Sequence, residues 1–176
     1  MATPQFRTYL RTVAATDRAE FLDLMRSSQA LHHPWISPPL TDLSFNAYLA
    51  RTQQDDHEGM LVCNTADDAI VGVINLNNIV RGSFLSATLG YYVGAPFAGL
   101  GLMREGLEQL KLLSVQQLGL HRLEANIQPG NQRSIALVAQ CGFEAEGLCR
   151  DYLFIDGHWR DHQRWAWVHD RTGLHR

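Results

Sequence analysis

Residues 88–107 read TLGYYVGAPFAGLGLMREGL, which combines an apolar segment, a glycine-containing connection and the start of an amphipathic segment. Its first six residues predict a strand, and residues 101–118 predict a helix with an apolar stripe at helical spacing. Gly99 and Gly101 lie in the short connection, where the absence of a Cβ lets the backbone approach a ligand closely. Because a helix N-terminus exposes unpaired N–H groups and the positive end of its dipole, this unit is predicted to bind phosphate.

The same stretch excludes two common nucleotide motifs. It contains no G-K-[ST], so it is not a Walker A loop. It also lacks a full G-x-G-x-x-G followed by an acid about twenty residues on, so a dinucleotide fingerprint is unsupported. No acidic side chain lies between Gly94 and Met103, so nothing in the connection repels an anion.

The flanking sequence predicts an α/β fold with a mixed sheet and helices on both faces, because strands come first, then β-α-β, then a helix and a hairpin. Asp17 and Glu20 resemble a capping box that starts the first helix. Asp156-Gly157 is a strong hairpin-turn signal. Further strands are predicted at residues 6–13, 60–64, 69–76, 121–128, 150–155 and 159–168, and further helices at residues 43–53 and 131–141.

Composition places the chain among ordinary globular proteins. Its 176 residues fit one domain, 1–176, and the net charge of −3 gives no general attraction to nucleic acid. Three cysteines without a C-x-x-C pair predict reduced thiols in a cytoplasmic protein. The first ten residues lack the apolar core of a signal peptide, and no apolar run is long enough to cross a bilayer, so no membrane association is expected.

Residues 96–101 resemble the pyrophosphate-binding motif R/Q-x-x-G-x-G/A of the GNAT acetyltransferase superfamily. Pro96 departs from that motif, in which Arg or Gln is usual, and it removes one N–H from the loop. The resemblance extends over about residues 7–168 and points to the RimJ/RimL-like branch, which acetylates the N-termini of ribosomal proteins. The stretches that carry it are VINLNNIVRGSF (73–84), HRLEANIQPGNQRS (121–134), CGFEAEG (141–147) and RDYLFIDGHWRDH (150–162).

This resemblance implies a GNAT-type fold: a mixed, mostly antiparallel central sheet with a splayed pair of strands and helices on both faces. In that fold the pantetheine of acetyl-CoA lies in the splay like an extra strand, and acetyl-CoA is a co-substrate that needs no metal. The residues that the resemblance implies for acetyl-CoA binding are Tyr91, Tyr92, Val93, Phe97, Ala98, Gly99, Gly101, Leu102, Met103, Asn126, Asn131 and Ser134.

Two catalytic roles follow from the same resemblance. The amide of Val93 would stabilise the oxyanion of the tetrahedral intermediate, an effect typically worth about 3–4 kcal/mol. Ser134 would donate a proton to the departing thiolate, directly or through water, with Tyr152 as an alternative donor.

The proton acceptor stays open, with Glu124, Asp151 and His121 as candidates. An α-amine has a pKa of about 7.7–8.0, whereas that of lysine is about 10.4. At pH 7 its deprotonation therefore costs roughly 1 kcal/mol, against more than about 4 kcal/mol for lysine. This difference favours a protein N-terminus as the acceptor, because a modest base then suffices.

Other acceptors and other classes of function are also compatible with the sequence. The acceptor could be a small amine such as an aminoglycoside or polyamine, and the chain could be a non-catalytic acyl-CoA-binding module or, last, a nucleotide-binding module. A monomer or a homodimer is expected. His158 and His162 are four residues apart, but on a strand this spacing favours a solvated or substrate-facing role over a metal site. His32 and His33 could contact substrate or lie in a surface loop.

Overall fold

The computed structural model describes residues 6–169, whose strands form one seven-stranded sheet in the order β1-β2-β3-β4-β5-β7-β6. The strands are β1 (Thr8–Thr12), β2 (Glu58–Asn64), β3 (Ile70–Val80), β4 (Ser86–Val93), β5 (Arg122–Ile127), β6 (Glu144–Ile155) and β7 (His158–Val168). The helices are α1 (Arg18–Ser27), α2 (Gln29–His32), α3 (Asp42–Arg51), α4 (Leu102–Gln116) and α5 (Gln132–Gln140).

The sheet is antiparallel except for the pair β4–β5, which is parallel and is connected through α4. Each face carries its own apolar core. Leu107 and Leu110 of α4 and Val138 of α5 are buried on one face, and Phe21 of α1 and Phe45 of α3 are buried on the other. The predicted α/β fold with a mixed, mostly antiparallel sheet and helices on both faces is therefore confirmed.

The β4–β5 ladder is short, and this opens the sheet. It joins residues 86–89 of β4 to residues 122–125 of β5. Beyond these residues β4 continues to Val93 and β5 continues to Ile127. Within residues 6–169, neither of these continuations has a ladder partner on the other strand. The two strands therefore separate beyond Leu89 and Ala125, and this gap is the splayed pair that the family resemblance implies.

The turn and the helix cap that were predicted from neighbouring residues agree with the structure. Asp156 and Gly157 have φ angles of 53° and 75°, the left-handed values that a tight hairpin turn requires. The Asn131 side chain accepts a hydrogen bond from the Ser134 N–H and so caps α5 as predicted. The last hairpin was predicted too short, because β6 begins at Glu144 and not near residue 150. Register shifts at two places along β6 hide the alternation that would have revealed it.

The predicted capping box at Asp17 and Glu20 is wrong. The Asp17 carboxylate accepts bonds of 2.9 and 2.7 Å from the Arg11 guanidinium and one of 2.7 Å from the Ala14 N–H. The Glu20 carboxylate accepts a bond of 2.6 Å from the Ile70 N–H. Both acids thus bind groups outside α1, and the spacing alone could not reveal these partners.

The structure bears on two further predictions, that of reduced thiols and that of no membrane association. Cys63, Cys141 and Cys149 are free thiols, and the first two are buried. Burial raises the pKa of the Cys141 thiol to about 11, so a reactive thiolate is not expected there. None of the helices in residues 6–169 is long and apolar enough to span a membrane.

We predict that Asp17→Asn lowers the free energy of unfolding near pH 7 by about 1–3 kcal/mol, because it weakens a charged, mostly buried hydrogen-bond cluster. Burial alone would raise the pKa of Asp17, but the bonds from Arg11 and Ala14 lower it below its ordinary value. A lowered pKa adds stability above the ordinary carboxyl pKa of about 3.9, and this stability is lost as the pH falls through the folded value. The deficit of the variant should therefore shrink in acid.

Urea unfolding at several pH values measures this difference. The matched control is Asp23→Asn, since Asp23 makes only an exposed contact of 3.7 Å with Arg26 and should change stability by less than about 0.5 kcal/mol. Equal deficits for the two variants would contradict the prediction.

Candidate active site

A cleft of about 1030 Å³ opens where β4 and β5 separate. Three parts of the chain form its walls: the end of β4 with the turn that follows, the first turns of α5, and α2 with the segment after it. The lining includes Ala30, Leu31, His32, His33, Trp35, Ile36, Tyr91, Tyr92, Val93, Phe97, Ala98, Gly99, Gly101, Met103, Arg104, Gly130, Asn131, Gln132, Arg133, Ser134, Ala136, Leu137 and Gln140.

The turn between β4 and α4 presents free backbone amides to this cleft. Gly99 and Gly101 have φ angles of 78° and 79°, which side-chain-bearing residues adopt only with strain. Within the described part of the chain, the N–H groups of these two glycines donate to no other residue. Gly101 is also the N-cap of α4, so the amides of the first helical turn add to the same positive end.

Long-range contacts hold this turn in place. The Arg7 guanidinium donates a bond of 3.0 Å to the Leu100 carbonyl, and its Nε donates one of 2.7 Å to Glu105 in the first turn of α4. On the other side, the Ala95 N–H donates to the hydroxyl of buried Ser28 over 2.8 Å. Arg7 thus neutralises the only acid at this end of α4 while it fixes the loop.

Pro96 is compatible with this geometry. It lies in the first turn of a short 3₁₀ helix, Ala95–Phe97, where an N–H would have no partner within the helix. The residue therefore removes no bond that the turn itself needs. The amides that face the cleft come later, from Gly99 onward.

The register of β4 shows which of its backbone groups face the gap. Val93 lies opposite Gly72, and the Gly94 N–H donates to the Val71 carbonyl over 2.8 Å. The pair Gly72–Val93 is therefore not hydrogen-bonded, so the N–H and C=O of Val93 point away from β3. The same holds for Tyr91, two residues earlier, and both residues direct their polar groups to the side where β5 has separated.

His32 binds one of these exposed groups. Its Nε2 lies 2.8 Å from the Val93 carbonyl, and because a carbonyl can only accept, Nε2 carries the proton. Burial lowers the pKa of His32, although this bond opposes the effect. The imidazole thus donates a hydrogen bond to the Val93 C=O and leaves the Val93 N–H available to a ligand.

Ser134 lies in the first turn of α5 and lines the same cleft as Val93. Its Oγ is 2.5 Å from the Tyr91 hydroxyl. Burial raises the pKa of Tyr91 well above its ordinary value, so the phenol stays protonated and can donate to Ser134 Oγ. The Ser134 hydroxyl is then free to donate its own proton into the cleft.

A second, smaller cavity of about 110 Å³ also reaches the gap between β4 and β5, and residues of both faces of the sheet line it. It is lined by Trp35, Ile36, Leu89, Gly90, Tyr91, Ala125, Asn126, Ile127, Gln128, Asn131, Ser134 and His162. The side-chain oxygen and nitrogen of Asn126 and the Nε2 of Gln128 are buried without a partner among the described residues. Buried polar atoms of this kind are costly unless water or a ligand satisfies them.

Comparison with known proteins identifies the family. Residues 7–144 match the model of the acetyltransferase (GNAT) domain, and residues 150–169 match that of the WXXGXW repeat. The chain belongs to the GNAT acetyltransferase family. The resemblance of residues 96–101 to the family's loop is thus accompanied by a match over most of the chain.

Individual relatives are similar over different lengths. The [ribosomal protein uS5]-alanine N-acetyltransferase of Escherichia coli is 48% identical over 93 residues, which are 53% of this chain and 48% of that protein. The alignment therefore spans about half the length of this relative. The probable N-acetyltransferase YjcK of Bacillus subtilis is 28% identical over 163 residues, 88% of this chain and 90% of that protein. Among solved structures, Mycobacterium smegmatis RimJ in complex with CoA-disulfide is similar at 27% identity and a TM-score of 0.85, over 94% of this chain and 84% of that one.

The structure brings most of the GNAT residues named from the sequence to the cleft. Those that line it are Tyr91, Tyr92, Val93, Phe97, Ala98, Gly99, Gly101, Met103, Asn131 and Ser134. Leu102 is buried beneath the turn, where its side chain lies outside the lining and its amide belongs to the first turn of α4. Asn126 lines the smaller cavity.

The structure places none of the candidate proton acceptors in the lining of either cavity. Glu124 lines neither cavity, and its carboxylate contacts the guanidinium groups of Arg122 at 2.8 Å and Arg164 at 3.6 Å. His121 and Asp151 also lie outside both linings. These roles therefore gain no support from the geometry.

Sequence reasoning missed several residues that face the gap. Trp35 and Ile36 follow α2 in a proline-rich segment whose position no pattern predicts. Gln128 directly follows β5 and His162 lies on β7, and only the pairing register of these two strands reveals that they are close. For His162 the sequence favoured a solvated or substrate-facing role, and the structure buries the residue rather than leaving it solvated. In residues 6–169 no group of three or more His, Cys, Asp or Glu side chains could hold a metal ion.

We predict that Tyr91 remains a neutral phenol through the pH range of activity, since burial raises its pKa. Ultraviolet titration of the folded wild type and of Tyr91→Phe should give the same phenolate absorbance up to about pH 10.5, near the ordinary tyrosine pKa of about 10. A loss of one phenolate in the variant below that pH would contradict the prediction.

Proposed function

We propose that the chain transfers the acetyl group of acetyl-CoA to the N-terminal α-amine of a ribosomal protein. The observation that carries this proposal is the gap between β4 and β5, which holds an open Val93 amide on one side and the Ser134 hydroxyl on the other. The E. coli relative named for the alanine of uS5 supports the acceptor class. A ribosomal-protein acceptor also implies that the reaction takes place in the cytoplasm.

Acetyl-CoA fits the cleft by charge and shape. Its diphosphate would bind the amides of Gly99, Gly101 and the first turn of α4, where the helix dipole favours an anion. Arg104 and Arg133 also line the cleft and add positive charge for phosphate groups. The pantetheine would then run along β4 and bond to the backbone groups of Tyr91 and Val93 that no strand satisfies.

The reaction is a direct displacement. The amine nitrogen attacks the thioester carbonyl carbon, an N–C bond forms, and the carbonyl oxygen becomes an oxyanion. The Val93 N–H stabilises this oxyanion, an effect of about 3–4 kcal/mol when such a donor is preorganised. The C–S bond then breaks, and Ser134, held by Tyr91, relays a proton to the thiolate.

The cavity linings favour a single amine over a polyamine. Among the described residues that line the two cavities there is no Asp or Glu. An acceptor with several ammonium groups would find no counter-charge there, so its additional charges would be desolvated at a cost. A peptide N-terminus carries one amine, and its deprotonation near pH 7 costs only about 1 kcal/mol.

A panel of acceptors tests this proposal. With acetyl-CoA in excess, thiol release should be at least about tenfold faster in kcat/KM for a peptide that begins with alanine than for the same peptide with a blocked N-terminus and a free lysine. Spermidine should be similarly slow. Faster turnover of spermidine or of the lysine peptide would overturn the acceptor class.

We predict that Ser134→Ala lowers kcat by about 10²-fold or more, because it removes the proton relay to the thiolate. The KM for acetyl-CoA should change by less than about threefold, since the diphosphate site is intact. The matched control is Ser27→Ala, because Ser27 is exposed and its hydroxyl donates to the Leu24 carbonyl within α1. Steady-state kinetics with the alanine peptide measures both constants, and an unchanged kcat would remove Ser134 from the reaction.

A further inference from the structure

The imidazole of His162 has a defined tautomer. Its Nδ1 lies 2.9 Å from the carbonyl oxygen of Arg160, two residues earlier on β7. Because a carbonyl can only accept a hydrogen bond, Nδ1 of the neutral ring carries the proton. The lone pair therefore resides on Nε2, which makes this nitrogen a proton acceptor.

The register of the sheet places this imidazole on the face that α4 and α5 do not cover. Asn126 of β5 lies opposite Arg164 of β7, so His162, two residues before Arg164, shares the face of Asn126 and of Gln128. Only 3% of His162 is exposed, and the residue lines the smaller cavity together with Ser134. A cavity of about 110 Å³ has room for three or four waters at about 30 Å³ each, so His162 and Ser134 border one small space.

Among the described residues that line this cavity, His162 is the only one with an imidazole, the side chain whose nitrogen lone pair can accept a proton. Tyr91 is the other titratable side chain, and burial keeps it protonated. The side-chain oxygen of Asn126 lines the same cavity without a partner among the described residues, and it can accept a bond from an amine N–H and so hold the acceptor beside the imidazole.

Charges around His162 come from the strands on either side of it. On β7 the neighbours on its face are Arg160 and Arg164, and Arg164 is balanced by Glu124 of β5. On β6, Cys149 lies opposite His162, and the ring of Tyr152 lies 5.7 Å away from the imidazole. Trp35 and Ile36, which line the cavity from the segment after α2, bring no charge.

We propose that His162 Nε2 accepts the proton that the acceptor amine loses during acetyl transfer, a step that rests on the proposed function above. The neutral amine attacks, the N–C bond forms, and the excess proton on nitrogen passes to Nε2, directly or through one water. The electron pair of the C–S bond leaves with sulfur, which takes a proton from solvent through Ser134. His162 then returns its proton to solvent, so amine plus thioester gives amide plus thiol with no net proton.

His162→Asn tests this role with little structural change, because the Asn amide can replace Nδ1–H as the donor to the Arg160 carbonyl while Nε2 is lost. We expect kcat to fall by about 10²-fold or more near neutral pH, the usual contribution of a general base. The deficit should shrink in acid, where a protonated imidazole accepts nothing, and at high pH, where hydroxide replaces it. The KM for acetyl-CoA should stay within about threefold.

His158→Asn is the matched control. Its Nδ1 makes the same kind of bond, 3.0 Å to the carbonyl of Asp156 two residues earlier, but its ring is exposed and lines neither cavity. This variant should keep wild-type kinetics at every pH. His162→Gln serves as a second variant, and calorimetric CoA binding verifies that each protein is folded.

The outcomes separate the two proposals. Turnover of the alanine peptide by the wild type decides the acceptor, while the ratio of variant to wild type decides the base and can be measured with any amine that the wild type acetylates. A kcat within about threefold of wild type across the pH range for either His162 variant overturns the role of His162. An enzyme that acetylates no amine overturns both.

Discussion

The β4–β5 ladder ends at Leu89 and Ala125, and the rest of the site depends on this break. Beyond it, the strand pairing that would satisfy the backbone of Tyr91 and Val93 is missing, and buried backbone groups need partners. His32 supplies one partner by binding the Val93 carbonyl, and the amide of the same residue stays open. The sheet thus keeps a vacant strand position that a linear, amide-containing molecule such as pantetheine can fill.

The two faces of the gap have different chemistry. On the α4 and α5 face, the free amides of the glycine turn and the Tyr91–Ser134 pair suit a thioester donor with a diphosphate. On the other face, Asn126 and His162 suit an amine that must lose a proton. The reacting atoms would therefore meet in the sheet itself, without a covalent intermediate. Cys141 fits this view, because burial raises its pKa to about 11 and keeps it a thiol.

Features that depend on adjacent residues could be predicted from the sequence. The Asn131 cap, the turn at Gly157 and the glycine turn before α4 are local, and each has a physical signal within a few residues. Contacts between distant segments could not be predicted in the same way. Asp17 pairs with Arg11 and not with its own helix, and His162 reaches the gap only through a register that no single sequence reveals. The splayed pair of strands was predicted from the family resemblance, and composition alone would not have predicted it.

A crystal structure with bound CoA would show whether the break in the β4–β5 ladder is the acetyl-CoA site. We expect the diphosphate on the amides of Gly99, Gly101 and the α4 N-terminus, with the pantetheine between β4 and β5 bonded to Val93. A ladder that pairs β4 with β5 up to Val93, or CoA bound at another surface, would contradict this expectation.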